Sequence, residues 1–188
     1  MKKIGITGSI SSGKTTVSKI LSAGKGPFFS ADTVVKKLYQ NKRFKENISK
    51  KFKLKSIKNI KKILKQKIIE DQNNLKIIEK STHPFVRNKM KKFIKRNKKK
   101  KFIFLEIPLL IESKLMKNFD IIFFIKSKKS LRLKRFKAKG GDKKLFDILN
   151  NKQLNDKKKV RFCDHVIVNE SNKTILKKKL LDILKHYE

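Results

Sequence analysis

Gly8 is followed, after four residues, by Gly13, Lys14 and Thr15, inside the stretch KIGITGSISSGKTT at residues 3–16. A glycine, four residues, then Gly-Lys-Thr is the spacing of a phosphate-binding loop. Gly8 and Gly13 let the backbone turn where a Cβ would clash, so the N–H groups around Ser9, Ile10, Ser11 and Ser12 can point inward at phosphate oxygens. Lys14 can reach the β- and γ-phosphates of ATP, and the Thr15 hydroxyl can ligate Mg²⁺. A helix opening near Gly13 and carrying Thr16 in its first turn aims its positive end at the same anion.

Such a loop works only between a strand and a helix. Ile4, Gly5, Ile6 and Thr7 read as a short buried strand before it. Thr16 to Ala23 carries Val17, Ile20 and Leu21 at helical spacing, with Gly24 as a stop. Five of the seven glycines fall in the first 26 residues, so they are not scattered filler. The alternative, a Gly/Ser-rich turn that binds nothing, does not account for spacing and context together.

With 188 residues the chain is expected to form one domain, residues 1–188, with a real core. Its one cysteine, Cys163, excludes an internal disulfide and fits a reducing compartment. MKKIGI does not read as a signal peptide, and no apolar run approaches the roughly 20 residues that cross a membrane. A cytoplasmic protein without membrane association is expected. The net charge of +38, from 53 Lys/Arg against 15 Asp/Glu, could mean nucleic-acid binding. The lysines are spread over nearly every segment, and Ile, Asn and Phe, which share A/T-rich codons with lysine, are abundant too. Phe44, Phe52 and Phe93 stand singly at helix-core spacings and make no stacking platform. A solvated surface is the simpler reading, and no nucleic-acid partner is expected.

Past the first helix, Pro27 to Ser30 reads as a second strand, followed by Ala31 and Asp32. A carboxylate just beyond a strand in an open α/β sheet faces the ligand crevice. There it could orient a substrate hydroxyl and take its proton during phosphoryl transfer. It could equally cap a helix starting near Thr33. Residues 33–101 hold apolar residues at three and four and no convincing strand, which predicts a helical insertion. Within it, His83-Pro84 is expected to make a sharp boundary, with Pro84 in the first turn of the next helix and His83 as a cap. Phe102 to Leu105 predicts a strand ending in Glu106, an acid placed to help hold Mg²⁺ beside the loop. Pro108, Leu109, Leu110 and Glu112 follow. Ile121 to Ile125 is a fourth strand. Ser127 or Ser130 opens a helix with Arg132 and Arg135 that runs into Lys139, Gly140 and Gly141. An Arg-bearing helix with a glycine hinge suits a lid over a phosphoryl group, residues 128–160. Surface charge is the alternative for both arginines. Asp164 to Val168 is the fifth strand, ending at Asn169, and Leu176 to Leu184 a closing amphipathic helix. Asn-Lys-x-Asp and Asp-x-x-Gly are both missing, which disfavours a GTPase.

These motifs together resemble the dephospho-CoA kinase family over nearly the whole chain. The matching stretches are ITGSISSGKTT, Ser30-Ala31-Asp32, His83-Pro84 with Arg87, and Glu106-Ile107-Pro108-Leu109-Leu110-Ile111-Glu112. Arg135, Gln153, Cys163-Asp164 and Asn169 complete the set. The resemblance implies Mg²⁺- and ATP-dependent phosphorylation of the ribose 3′-hydroxyl of dephospho-CoA, the last step of CoA biosynthesis. It implies an α/β P-loop kinase fold: a five-stranded parallel sheet flanked by helices, a helical CoA-binding insertion at 33–101 and a lid. A monomer is expected. Lys14 and Thr15 would hold phosphate and Mg²⁺, with Glu106 at the metal and, with Leu109, near the acceptor. Asp32 would be the catalytic base, His83 and Arg87 would line the acceptor side, Arg135 and Lys139 would cover the ATP phosphates, and Asn169 would lie near adenine.

Four departures bear on rate more than on reaction class. Ser30 replaces the first Asp of the family's Asp-Ala-Asp, Glu106 replaces an Asp, Lys139 stands where many relatives have a second lid Arg, and the lid loop is one residue shorter. Lysine keeps the charge of arginine and loses its bidentate geometry. A kinase for another small alcohol and a basic nucleic-acid-binding ATPase are the competing readings. An acceptor panel and the salt dependence of duplex binding would expose them.

Overall fold

The computed structural model describes every residue, Met1–Glu188. Five strands form one sheet: β1 Lys2–Gly8, β2 Phe28–Ser30, β3 Phe102–Glu106, β4 Ile121–Lys126 and β5 His165–Val168. Their spatial order is β2-β3-β1-β4-β5, and every neighbouring pair is parallel. A parallel sheet is covered on both faces, so its strands read as unbroken apolar runs. All of β3 and all but the last residue of β4 are buried. Register fixes the chemistry at one end of the sheet. Ile6 pairs with Glu106 on one side of β1 and Gly8 with Ile125 on the other, while Ser30 pairs with Glu106 at the edge. The chain leaves β1 toward one edge and later crosses to the other. That reversal beside β1 is where open α/β sheets form a crevice at the strands' C-terminal ends.

The helices are α1 Lys14–Ser22, α2 Ala31–Leu38, α3 Lys42–Lys51, α4 Ile60–Glu70, α5 Asn73–Arg96, α6 Lys129–Lys137, α7 Lys143–Lys152, α8 Asp156–Val160 and α9 Lys173–Lys185. Two compact units divide the chain: Met1–Ser30 with Ile94–Glu188, and Ala31–Phe93. In the first, α1 and α9 lay apolar stripes on the sheet. Val17, Ile20 and Leu21 join Leu176, Leu180 and Leu184 over Ile4, Ile6, Phe104 and Phe123. The i, i+4 spacing of the three α9 leucines puts them on one face, and Asn172 caps that helix by accepting the Ile175 N–H at 2.9 Å. No helix is long and apolar enough to cross a membrane.

The second unit is helical throughout. Phe44, Ile48, Ile60 and Leu64 form its core, with Phe52, Leu54 and Ile78 against them. Tyr39, Phe44 and Phe85 meet edge to face, with ring centroids 5.4 and 5.8 Å apart. One expectation fails here. His83-Pro84 makes no boundary, because α5 continues through Pro84. A proline in a helix interior removes one backbone bond. In the turn before it, Ser81 Oγ donates to Ile77 O at 2.8 Å and Thr82 Oγ1 to Ile78 O at 3.0 Å. Such back-bonding hydroxyls accommodate a local bend without ending the helix. His83 is accordingly a half-buried helical residue and no cap.

Candidate active site

The loop between β1 and α1 folds as an anion cradle. Gly8, Ser11 and Gly13 have φ of 148°, 56° and 94°, and Ser12 N–H donates to Ser9 O at 3.1 Å. Gly13 stands at the N-cap of α1 and supplies no side-chain cap, so the first-turn amides are not closed off by their own chain. Ser12 Oγ is buried without a hydrogen-bond partner. An uncapped helix start and an orphan hydroxyl in one concave loop fit a multiply charged phosphate. Lys14, only 7% exposed, donates from Nζ to Gly8 O at 3.1 Å and Ser9 O at 2.9 Å. Its charge therefore sits within the loop. Ile10 and Ser11 are half-buried at its rim, and Thr16 is exposed in the first turn of α1.

Glu106 ends β3 at 1% exposure, and its Oε1 accepts the Thr15 hydroxyl at 2.7 Å. A buried carboxylate and a hydroxyl make a hard oxygen pair. That donor chemistry fits Mg²⁺, which takes one or two protein oxygens and fills its octahedron with water and phosphate. Leu109 is half-buried in the turn just past β3.

The far half of the same unit braces the loop. Arg135 donates from Nη1 to Ser12 O at 3.3 Å and from Nη2 to Asn169 O at 3.0 Å. Asn169, buried just beyond β5, donates from Nδ2 to Ser12 O at 2.8 Å. A Cβ on Gly13 would fall 2.0 Å from that same nitrogen. Gly13→Ala therefore combines a clash with a left-handed φ. It is expected to destabilise by at least about 2 kcal/mol, lowering the melting midpoint by roughly 4–8 °C in a chain of this size.

Arg132 is not surface charge. It is the buried residue of α6, donating from Nε to Ser127 O at 3.1 Å and from Nη1 to Asn150 Oδ1 at 2.8 Å. Nη1 also reaches Ile10 O at 3.5 Å, and the guanidinium lies over the Phe146 ring at 5.8 Å. Burial pushes its pKa below the ordinary arginine value, and the charge of Asp156 acts against that shift. Neither serine opens α6: the N-cap is Lys128, without a side-chain cap. Ser127 Oγ instead accepts from Arg135 at 3.3 Å.

The glycines after α6 serve as a cap and a packing surface. Gly140 N–H donates to Lys137 O at 2.9 Å and Gly141 N–H to Phe136 O at 3.1 Å, with Gly140 at φ 77°. That pair of bonds with a left-handed residue is a Schellman cap. Gly141 lies against the Phe136 ring, whose Cε1 would be 2.1 Å from a Cβ. Both glycines thus have defined places in one well-formed helix end. Lys139 is exposed in that turn, and its side chain makes no bond to the loop.

Four further side chains touch the site and escape sequence reasoning as loop contacts. Asn150 receives Arg132. Gln153 Oε1 accepts the Ile10 N–H at 2.9 Å, Asp156 accepts the Ser9 hydroxyl, and Lys159, three residues on, is fully buried against Glu112. Only Gln153 carries a signal in the sequence, as part of a family motif. Asp32, His83 and Arg87 belong to the second unit. Asp32 is exposed in the first turn of α2, which begins at Ala31, so it is not the N-cap. His83 and Arg87 are four apart on α5 and share a face, the first half-buried and the second exposed.

A family model described as dephospho-CoA kinase matches residues 2–174. The dephospho-CoA kinase of Bartonella henselae is 33% identical over 172 residues, covering 89% of this chain and 88% of its own length. That of Rickettsia typhi is 30% identical over 189 aligned residues, 100% of this chain and 98% of its own. The solved dephospho-CoA kinase from Campylobacter jejuni has the same fold, with a TM-score of 0.64 over 100% of this chain and 97% of its own at 23% identity.

Proposed function

We infer the roles of the site residues from one premise: this chain belongs to the dephospho-CoA kinase family, and its activity is the ATP-dependent phosphorylation of dephospho-CoA that completes CoA biosynthesis. The observation that carries the assignment is the cradle itself, with buried Lys14 inside it and Thr15 2.7 Å from Glu106 at its mouth. The loop and first-turn amides not already bonded within the protein, those of Ser11 and of Gly13 to Thr16, bind the β- and γ-phosphates, and Lys14 neutralises charge on the transferring group. Thr15 and Glu106 hold Mg²⁺, which when bound shields the phosphate oxygens.

Asp32 orients the ribose 3′-hydroxyl. As that oxygen bonds to the γ-phosphorus, the bond from phosphorus to the β–γ bridging oxygen breaks, ADP leaves, and the hydroxyl proton passes to the Asp32 carboxylate. A loose, metaphosphate-like transition state needs the base late, so positioning matters more than basicity. His83 and Arg87 hold the acceptor, Arg135 lies over the ATP phosphates, and Asn169 stands at the adenine end. The helices between β2 and β3 bind the CoA moiety, and residues 128–160 form the lid region, with Arg132, Gln153 and Asp156 already seated on the phosphate loop. Lys139 serves there as a mobile positive charge. Dephospho-CoA is the partner, with no call for nucleic acid.

The deciding assay incubates the protein with Mg²⁺-ATP and dephospho-CoA, with adenosine and AMP as parallel acceptors, and reads products by mass. Gain of one phosphate on dephospho-CoA alone is expected, and phosphorylation of adenosine or AMP instead would overturn the substrate assignment. Glu106→Gln keeps the shape and loses the charge. It should raise the Mg²⁺ concentration for half-maximal rate by about 10–100-fold. An unchanged Mg²⁺ titration would remove Glu106 from the metal.

A further inference from the structure

Among 53 lysines and arginines, three have less than a tenth of their surface exposed: Arg132, Lys14, and Lys159 at 0%. Lys14 is in the phosphate loop and Arg132 braces it. Lys159 lies on α8 with Nζ 2.7 Å from Glu112 Oε1. The same oxygen accepts the Leu154 N–H at 3.2 Å. One carboxylate therefore ties down both ends of the segment from Leu154 to Lys159. The residue just before that segment and one within it grip the loop, Gln153 on Ile10 N–H and Asp156 on Ser9 Oγ. Together with Arg132 and Asn150 they line a cleft of about 510 Å³.

As a source of stability the pair is poor. Burying Lys159 wholly and Glu112 for the most part carries a desolvation cost that their attraction barely offsets, and apolar side chains of similar size commonly do as well. Glu112 Oε2 is moreover buried without a hydrogen-bond partner, which adds to the cost. Apolar side chains could not accept the Leu154 N–H, however, nor hold Gln153 and Asp156 in register with a loop some 143 residues away.

We propose that Glu112 and Lys159 are positioning residues for the phosphate loop, setting nucleotide affinity through the Gln153–Asp156 segment. The proposal rests on the assignment of the loop to ATP phosphates. Glu112 fixes the segment, the segment fixes Ser9 through its hydroxyl and Ile10 through its N–H, and the N–H groups that follow in the loop are presented to phosphate already aligned. Preorganisation of this kind appears in binding, since a slack loop must be ordered at the expense of affinity.

The test uses the full chain and four variants: Glu112→Leu with Lys159→Met, Glu112→Gln with Lys159→Met, Gln153→Leu, and Asp156→Ala. ATP affinity is measured by calorimetry, KM for each substrate by steady-state rates, and stability by thermal melting. The Leu/Met pair should melt near the wild type yet bind ATP about 10–100-fold more weakly, with KM for dephospho-CoA within about twofold. The Gln/Met pair restores an acceptor for Leu154 N–H without restoring charge, and should recover part of the ATP affinity. Gln153→Leu, which leaves the ion pair intact, should weaken ATP binding in the same direction. It decides the matter alone if the Leu/Met pair does not fold. Unchanged ATP affinity in Gln153→Leu, or a rise in both KM values in step with a lower melting midpoint, overturns the proposal. ATP binding is read directly, so a wild type that binds ATP and fails to phosphorylate dephospho-CoA would sink the functional reading and leave the positioning role standing.

Discussion

Lys14→Met lowers kcat/KM for ATP by about three orders of magnitude, the scale on which a single charge over a transferring phosphoryl group acts. Methionine keeps most of the length and apolar stem of lysine, so the side chain still fills its buried site. What disappears is the ammonium that donates to Gly8 O and Ser9 O and, in the reading given above, to the γ-phosphate. Ser9 O keeps the Ser12 N–H, while Gly8 O loses this donor, at a cost of up to about 1–3 kcal/mol if it stays buried. Some loss of stability therefore accompanies the loss of rate. The two effects separate cleanly. A destabilised but competent loop would regain activity when assayed well below its melting midpoint at saturating ATP, whereas a missing transition-state charge would not. Recovery to within tenfold of wild type under those conditions would remove Lys14 from the chemistry.

How much of this is legible in the sequence depends on where the interacting partners lie along the chain. The phosphate loop is local: its glycines, lysine and threonine act within one turn, so spacing alone announces it. Glu106 is readable at second hand, because an apolar strand ending in an acid places that acid at a predictable end of the sheet, and the Ile6–Glu106 register brings it beside the loop. The central strands β1, β3 and β4 are readable for a related reason, since burial on both faces leaves apolar runs in a lysine-rich background.

The braces are not readable. Ile10 and Gln153 are 143 residues apart and Ser9 and Asp156 are 147 apart, so no window along the chain contains both members of either pair. Lysine is also too common here for Lys159 to stand out, and only burial distinguishes it from its exposed neighbours Lys157 and Lys158. Arg132 can be singled out on its helix beside Arg135, but only its burial shows that it is a brace and not surface charge. Pro84 errs in the opposite direction. Local chemistry argues for a helix boundary, yet α5 runs on through Pro84 to Arg96. Propensity is a prior that neighbouring side chains can override. The Gly140-Gly141 pair makes the same point, since a glycine reads as freedom in sequence whereas here one closes a helix and the other admits an aromatic ring.

Asp32→Asn separates the two jobs that a carboxylate at the start of α2 can do. As an acid in a helix first turn, Asp32 is worth about 0.3–1 kcal/mol through the helix dipole. Asparagine forfeits that amount at most, so the melting midpoint should move by no more than about 4 °C. As the group that aligns the 3′-hydroxyl and takes its proton, it is worth about 10²–10⁴-fold in kcat. Asparagine can still accept one hydrogen bond from the hydroxyl but cannot take the proton, so kcat should fall on that scale while ATP affinity holds, because the nucleotide is bound by the loop between β1 and α1. KM for dephospho-CoA should change little, since the retained hydrogen bond and the contacts assigned to His83 and Arg87 do not depend on the lost charge. A variant that keeps near-wild-type kcat, whatever its melting point, would reduce Asp32 to a helix-end charge and leave the hydroxyl's proton to leave without a protein base.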